Sequence, residues 1–335
     1  MSVEIVLSVI AIIGSVIVAL ITHFSTKKNQ ESITLLNSKL EEKKAEKDAR
    51  RDYLYDARKR LYEECEPLFF LLNEMSERAI HRVYSLARTA RKGNLGKSSG
   101  WLSSRGYYFK STLYNMISPL TIFKLMQKRL TLVDLSVDPN VKTRYELIKY
   151  VYLSFTNDYT MAGVEPKIEY DPNSRNSEKI EQNPTKYWPQ GIYAGRLDNA
   201  IESLIIEGSD KSDNLSRCMS YGEFENELMK KGSKVQEAFY TVGELFLNFH
   251  PKTRPVLWRI LIVQIHLYLA LARACEAKES NITTFLKPLK LTPKDKRDEF
   301  DWRSSENEAS EEEVFVEPFE VAKKYYEQRL RQYLA

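Results

Sequence analysis

The sequence predicts an all-α protein: an N-terminal transmembrane helix, a long helix after it, then an irregular helical bundle. Three observations carry this reading. Residues 5–21 form an apolar run with no charge and no proline. Elsewhere, apolar residues recur at helical rather than alternating spacing. Twelve glycines and twelve prolines are few for 335 residues, so breaks between helices are rare.

The apolar run gives roughly 25 Å of helix, and residues 22–24 extend it toward the ~30 Å hydrocarbon core of a bilayer. We therefore expect a membrane anchor over residues 1–24, with Ile5, Ile12 and Ile21 in the lipid. A secretory signal would want a basic start and a small-residue cleavage site; this chain opens Met-Ser-Val-Glu, and Ala19-Leu20-Ile21 is a poor site. Glu4 precedes the run and Lys27 and Lys28 follow it, which orients the N-terminus outside and the body in the cytoplasm. Ala11, Ser15 and Ala19 recur every four residues, a stripe through which two such helices can self-associate; ordinary small residues facing lipid are the plainer account.

Residues 25–64 read as a helical stalk. Ile33, Leu36, Leu40, Leu54, Ala57 and Leu61 follow a seven-residue repeat, but Lys43, Lys47 and Arg50 occupy the same seam, so only a weak coiled coil is expected. Pro67 is expected to interrupt or restart the helix. The bundle is assigned to residues 65–286. Within it Leu68, Leu71, Leu72, Met75, Ala79, Val83 and Leu86 share a helical face, and a Gly/Ser-rich loop follows at 91–100. Further helices are expected at 107–130 (kinked or divided near Pro119), 141–155, 194–206, 221–231 behind a Ser220/Glu223 capping box, and 235–249. Residues 163–192 read as one long loop, a boundary or a partner-binding flap. Residues 255–277 are the most apolar internal stretch, uncharged between Arg259 and Arg273; they are too short for a comfortable crossing and are taken as the central core helix. An acidic loop at 287–314 and an amphipathic helix at 315–335 complete the chain.

Net charge is only +4, so no global nucleic-acid signature appears. Its distribution is uneven. Between Arg78 and Val133 there is no Asp or Glu, while basic residues and Tyr84, Trp101, Tyr107, Tyr108 and Phe109 are interleaved. Cations with rings suit an anionic partner: anionic lipid, nucleic acid, or the chain's own acidic block near its C-terminus. The plain alternative is a solvated face whose acidic partners lie elsewhere in the chain. The anion-binding candidates are Arg88, Arg91, Lys92, Lys97 and Arg105, joined by Lys252 and Arg254 ahead of the core helix, whose N-terminus adds a favourable dipole.

Signals for catalysis are sparse. Gly96-Lys97-Ser98 looks like the end of a P-loop, but Arg91 stands where the pattern needs glycine. His23, His81, His250 and His266 show no metal-binding spacing, and Cys65, Cys218 and Cys275 form no CxxC pair, which fits a reducing compartment. No cofactor or metal site is expected. Glu244, His250, Arg259 and His266 supply acid–base groups only where they converge. The expected role is therefore a membrane-anchored scaffold or sensor that binds an anionic or protein partner and has the bilayer as a further partner. The alternatives are a phosphate-directed enzyme (a nuclease or nucleotide hydrolase), or an effector that forms a homo-oligomer through anchor and stalk.

Overall fold

The computed structural model describes residues 3–97, 101–103, 106–132, 134–208, 216–276, 309–310 and 312–329. Among them are twelve α-helices and a single pair of two-residue strands, so the protein is all-α. The chain divides into two compact units, Met1–Lys59 and Arg60–Ala335.

The first unit is helical throughout its described length and belongs to α1 (Val3–Arg91). Its most apolar window is 0% buried. Ile5, Ile12 and Ile21 are exposed, as are Ala11, Ser15 and Ala19, and the Ser15 hydroxyl donates to the Ile12 carbonyl at 2.8 Å. This helix is long and apolar enough to cross a membrane.

In the second unit burial begins at Leu61 and continues through Cys65, Leu68, Phe69, Leu72, Ala79, Val83, Leu86 and Ala90 of α1. Leu71, expected on that face, is instead 40% exposed. The helix also runs unbroken through Pro67, contrary to expectation. Pro67 and Glu63 both lie on the exposed side, so the Glu63 carbonyl that loses its helical donor faces water rather than the core. Helix α2 (Tyr107–Arg129) is likewise continuous through Pro119, where burial of residues on both sides holds it.

The core is organised around α11 (Pro255–Glu276). It packs chiefly against α3 (Pro139–Ser154), α4 (Asp158–Gly163) and the C-terminal helix α12 (Glu317–Arg329). Its apolar window is 83% buried inside the protein, as a central core helix would be. Arg259, near its start, is 1% exposed. Its guanidinium donates to the carbonyls of Met161 (2.8 Å), Val164 (3.1 Å) and Pro166, and forms an ion pair with Glu317 at the start of α12. Trp258 Nε1 donates to the Val314 carbonyl at 2.9 Å, and the Tyr326 hydroxyl to the Val263 carbonyl. Residues 312–329 are thus an integral part of the core, entered by a π-helical turn at Glu312–Val316.

The stretch 163–192, expected as one loop, contains α5 (Ser177–Gln182) and α6 (Pro184–Tyr187). Asn176 caps the first, accepting from the Glu178 and Lys179 amides; Asn183 caps the second, accepting from the Lys186 amide. Such short helices have no apolar period long enough to announce them. Helix α7 (Ala194–Ser203) leads to strand β1 (Ile205–Ile206), paired antiparallel with β2 (Arg217–Cys218). The Ser220/Glu223 capping box opens α8 (Tyr221–Met229) as expected. The Arg217 guanidinium grips Glu223 at 2.6 and 2.8 Å; with the Ser220 contacts it lowers the Glu223 carboxyl to about 2. The helix expected at 235–249 is divided into α9 (Lys234–Ala238) and α10 (Tyr240–Phe246).

Candidate functional site

The acid-free segment meets its counter-charges in three dimensions. Lys110 pairs with Glu225 of α8. Lys124 lies 3.5 Å from Asp198 and 3.3 Å from Glu202 of α7, and Lys128 lies 2.9 Å from Glu207. The Ser216 hydroxyl, then the Lys128 ammonium, hold the Glu207 carboxyl below the usual range. Arg88, Arg91 and Lys92 also interact with other groups of the chain, so none of them is a spare cation. Arg105 lies outside the described residues, as do residues 295–308 and Glu311 of the acidic block.

Two concave surfaces on this unit retain basic character. The first is a groove of about 400 Å³ at the junction of α1, α2 and α8. Helix α1 contributes Arg78, His81, Arg82 and Ser85, whose spacing of three and four residues places them on one face. Helix α2 contributes Tyr107, Ser111, Tyr114 and Asn115 by the same periodicity, and α8 contributes Tyr221. No carboxylate is among these lining residues. Arg82 donates to the Ser111 hydroxyl at 2.8 Å and stacks 4.6 Å from the Tyr108 ring centroid. Tyr221 meets Tyr107 and Tyr114 edge-on, with centroids 5.9 and 5.6 Å apart. Tyr114 donates to the Met219 carbonyl at 2.7 Å, whereas the buried Tyr221 hydroxyl has no hydrogen-bond partner among the described residues. Burial pushes the Tyr221 phenol up to about 12, so it offers a proton donor and not a charge. Arg78 is exposed at the rim.

The second is a cleft of about 370 Å³ that gathers three of the expected anion-binding residues, Lys97, Lys252 and Arg254. Gly96, Ile180, Glu181, Pro184, Trp188, Asn248, His250 and Thr253 also line it. Arg254 is 3% exposed and serves the fold: it donates to the carbonyls of Glu244 (3.2 Å), Leu245 and Leu247 (2.7 Å), closing the C-terminus of α10. Its guanidinium lies 4.3 Å from the Trp188 ring centroid. Burial pulls its pKa down to about 9, still high enough for a cation at neutral pH. The amides at the start of α11, expected to favour an anion, are already occupied. Gln190 Oε1 accepts from Val256 at 2.8 Å and from Leu257 at 3.2 Å.

The acid–base candidates do not converge. His250 is buried at the cleft, and its Nδ1 accepts the Lys252 amide at 3.1 Å. Glu244 lines a different, mainly apolar cavity of about 580 Å³ beside Phe109, Phe239 and Tyr240. His266 is buried between Phe319 and Tyr326, with ring centroids 4.8 and 5.8 Å away; burial, then Arg273, lower its pKa to about 4. Among the described residues no cluster of His, Cys, Asp and Glu is arranged to hold a metal.

Comparisons with family models, with curated proteins and with solved structures find no match to this chain. The sequence flagged Arg78, Arg82 and Tyr107 through their charge and aromatic pattern but missed Tyr114, Asn115 and Tyr221. The 107–111–114 spacing on α2 was the available signal for Tyr114.

Proposed function

We propose that this is a membrane-tethered helical binding protein, a scaffold or sensor, whose cytoplasmic body engages an anionic partner through the basic segment 78–133. The observation that carries the reading is the Arg78/Arg82 groove: two guanidinium groups beside tyrosine rings, with no carboxylate lining it, on a segment whose lysines are largely neutralised from within. Cations meet phosphate, and rings give a flat surface for bases or an interfacial foothold for lipid. The tether supports the reading because confinement to a surface raises the effective concentration of a partner held there.

The test uses the full-length protein in detergent or nanodiscs, titrated with a fluorescent single-stranded oligonucleotide and, separately, with anionic or neutral vesicles. Binding to one anionic target, weakened on the order of tenfold by Arg78→Glu and falling with salt, is the expected result. Equal affinities for wild type and variant on every target overturn the proposal. The orientation is tested by protease added to sealed cells, which should leave the body intact.

The enzyme alternative rests on His250, Arg254 and His266, with Glu244 as a further acid–base group: His250 and Arg254 share the second cleft, whereas His266 lies between Phe319 and Tyr326 and Glu244 lines a different cavity, so that reading has less support. Self-association through Ala11, Ser15 and Ala19 is an additional reading, favoured by the exposure of that stripe. Loss of a crosslinked dimer in Ala11→Leu/Ser15→Leu is its test.

A further inference from the structure

We infer that the cleft lined by Lys97, Trp188, Asn248, Lys252 and Arg254 is a second binding site, for a small phosphorylated ligand that carries a planar ring, of the nucleotide class. It is separate from the groove at Arg78 and does not rest on that reading.

The cleft is built from three segments far apart in sequence: the turn carrying Gly96 and Lys97, helices α5 and α6, and the stretch 248–254. Its volume, about 370 Å³, is within the range of small-ligand sites. Three cations line it against the single carboxylate of Glu181. Arg254 is fixed by its carbonyl contacts and brings a permanent, largely desolvated charge. Lys97 is exposed. The Lys252 ammonium is paired with Glu313 at 3.7 Å, both side chains more than 40% exposed. A contact that long and that wet is readily exchanged for phosphate. Gln190 occupies the first amides of α11, so the phosphate is met by side chains and not by that helix end.

Two further features point beyond bare phosphate. Trp188 is half-buried, carries Arg254 stacked on it, and sits with Ile180 and Pro184, so the cleft has an apolar and aromatic wall suited to a ring. Asn248 Oδ1 is buried and has no hydrogen-bond partner among the described residues, although its backbone is held by the bond from its amide to the Leu102 carbonyl at 3.0 Å. A buried amide oxygen without a donor is costly. An exocyclic amine or a sugar hydroxyl supplies the missing proton. Cations for phosphate, a wall for a ring and an orphan acceptor for an N–H or O–H form a set that a nucleotide satisfies at once.

The test titrates the full-length protein in detergent with a fluorescent ADP analogue, then competes it with ADP and with inorganic phosphate. Saturable binding should weaken on the order of tenfold in Lys97→Glu and again in Lys252→Glu, both exposed positions that leave the core alone, while Lys39→Glu, exposed on the first unit, changes nothing. ADP should compete far better than phosphate. No saturable binding by the wild type, binding indifferent to both lysine variants, or equal competition by phosphate and ADP would each overturn the assignment. Failure at Arg78 in the oligonucleotide and vesicle assays leaves this result standing, and the reverse also holds.

Discussion

Arg259 Nε donates to Glu317 Oε1 at 3.0 Å, joining the core helix α11 to the first residue of α12. The arginine is almost fully buried, while the glutamate side chain keeps 25% of its surface in water. The same guanidinium satisfies carbonyls at Met161, Val164 and Pro166, so one side chain fastens three parts of the chain. Removing one partner of such a pair costs about 3–5 kcal/mol, because the other is left uncompensated. Arg259→Met and Glu317→Ala should each destabilise on that scale in urea unfolding of the full chain. The double variant should cost less than their sum, by about 1–3 kcal/mol. Additive losses would show that the pair is not coupled.

Gln190 does for α11 what a serine or aspartate does at most helix starts. Its Oε1 takes the Val256 and Leu257 amides while its Nε2 donates to the Thr185 carbonyl at 2.8 Å. Gln190→Ala leaves two buried N–H groups unsatisfied, a cost of roughly 2–4 kcal/mol. Gln190→Glu keeps the acceptor and, when protonated, an O–H donor for the Thr185 carbonyl, so in acid it should lose clearly less than the alanine variant. Thermal melts of the two variants in acid separate capping from simple packing: equal losses would mean the amides are indifferent to the acceptor.

His266 makes stability depend on pH. Its pKa falls from 6.5 in the unfolded chain to about 4 in the fold, so the unfolded state binds more protons between those values. Its contribution is intact above pH 6.5 and is lost as pH drops toward 4. At pH 5 this one site should cost about 2 kcal/mol relative to pH 7. His266→Phe fills a similar aromatic space and should flatten that part of the stability profile. A variant whose urea midpoint falls between pH 7 and pH 5 as steeply as wild type would contradict the assignment.

The helical class and the core helix were legible because an uncharged apolar run of that length has few soluble fates. Arg259 was read as the run's edge and as a candidate acid–base group, yet it lies inside the core as a structural cation. Its acceptors come from 161–166 and 317, and nothing local in the sequence announces them. Gln190 was hidden for the same reason. Pro67 misled because its effect depends on which way the helix faces, and there it faces water. The acid-free segment is a pattern along the chain, but its lysines find Asp198, Glu202, Glu207 and Glu225 through tertiary contacts. Charge counted along a chain cannot distinguish a free cation from one paired across helices. The convergence of Lys97 with Lys252 and Arg254 was invisible for the same geometric reason.

The exposed apolar helix makes a positional prediction. Ile12 lies near the middle of the run and Ile5 at its edge, and both are exposed in the protein itself. An arginine at the centre of a membrane helix costs about 3 kcal/mol, or about two orders of magnitude in insertion, whereas one near the end reaches the interface and costs little. Ile12→Arg should therefore shift the protein from the carbonate-resistant pellet toward the supernatant, while Ile5→Arg stays with the membrane. A helix lying flat on the surface would respond according to which side each residue occupies, not its depth along the run. Equal release of the two variants, or release of the wild type itself by carbonate, would rule out a spanning helix.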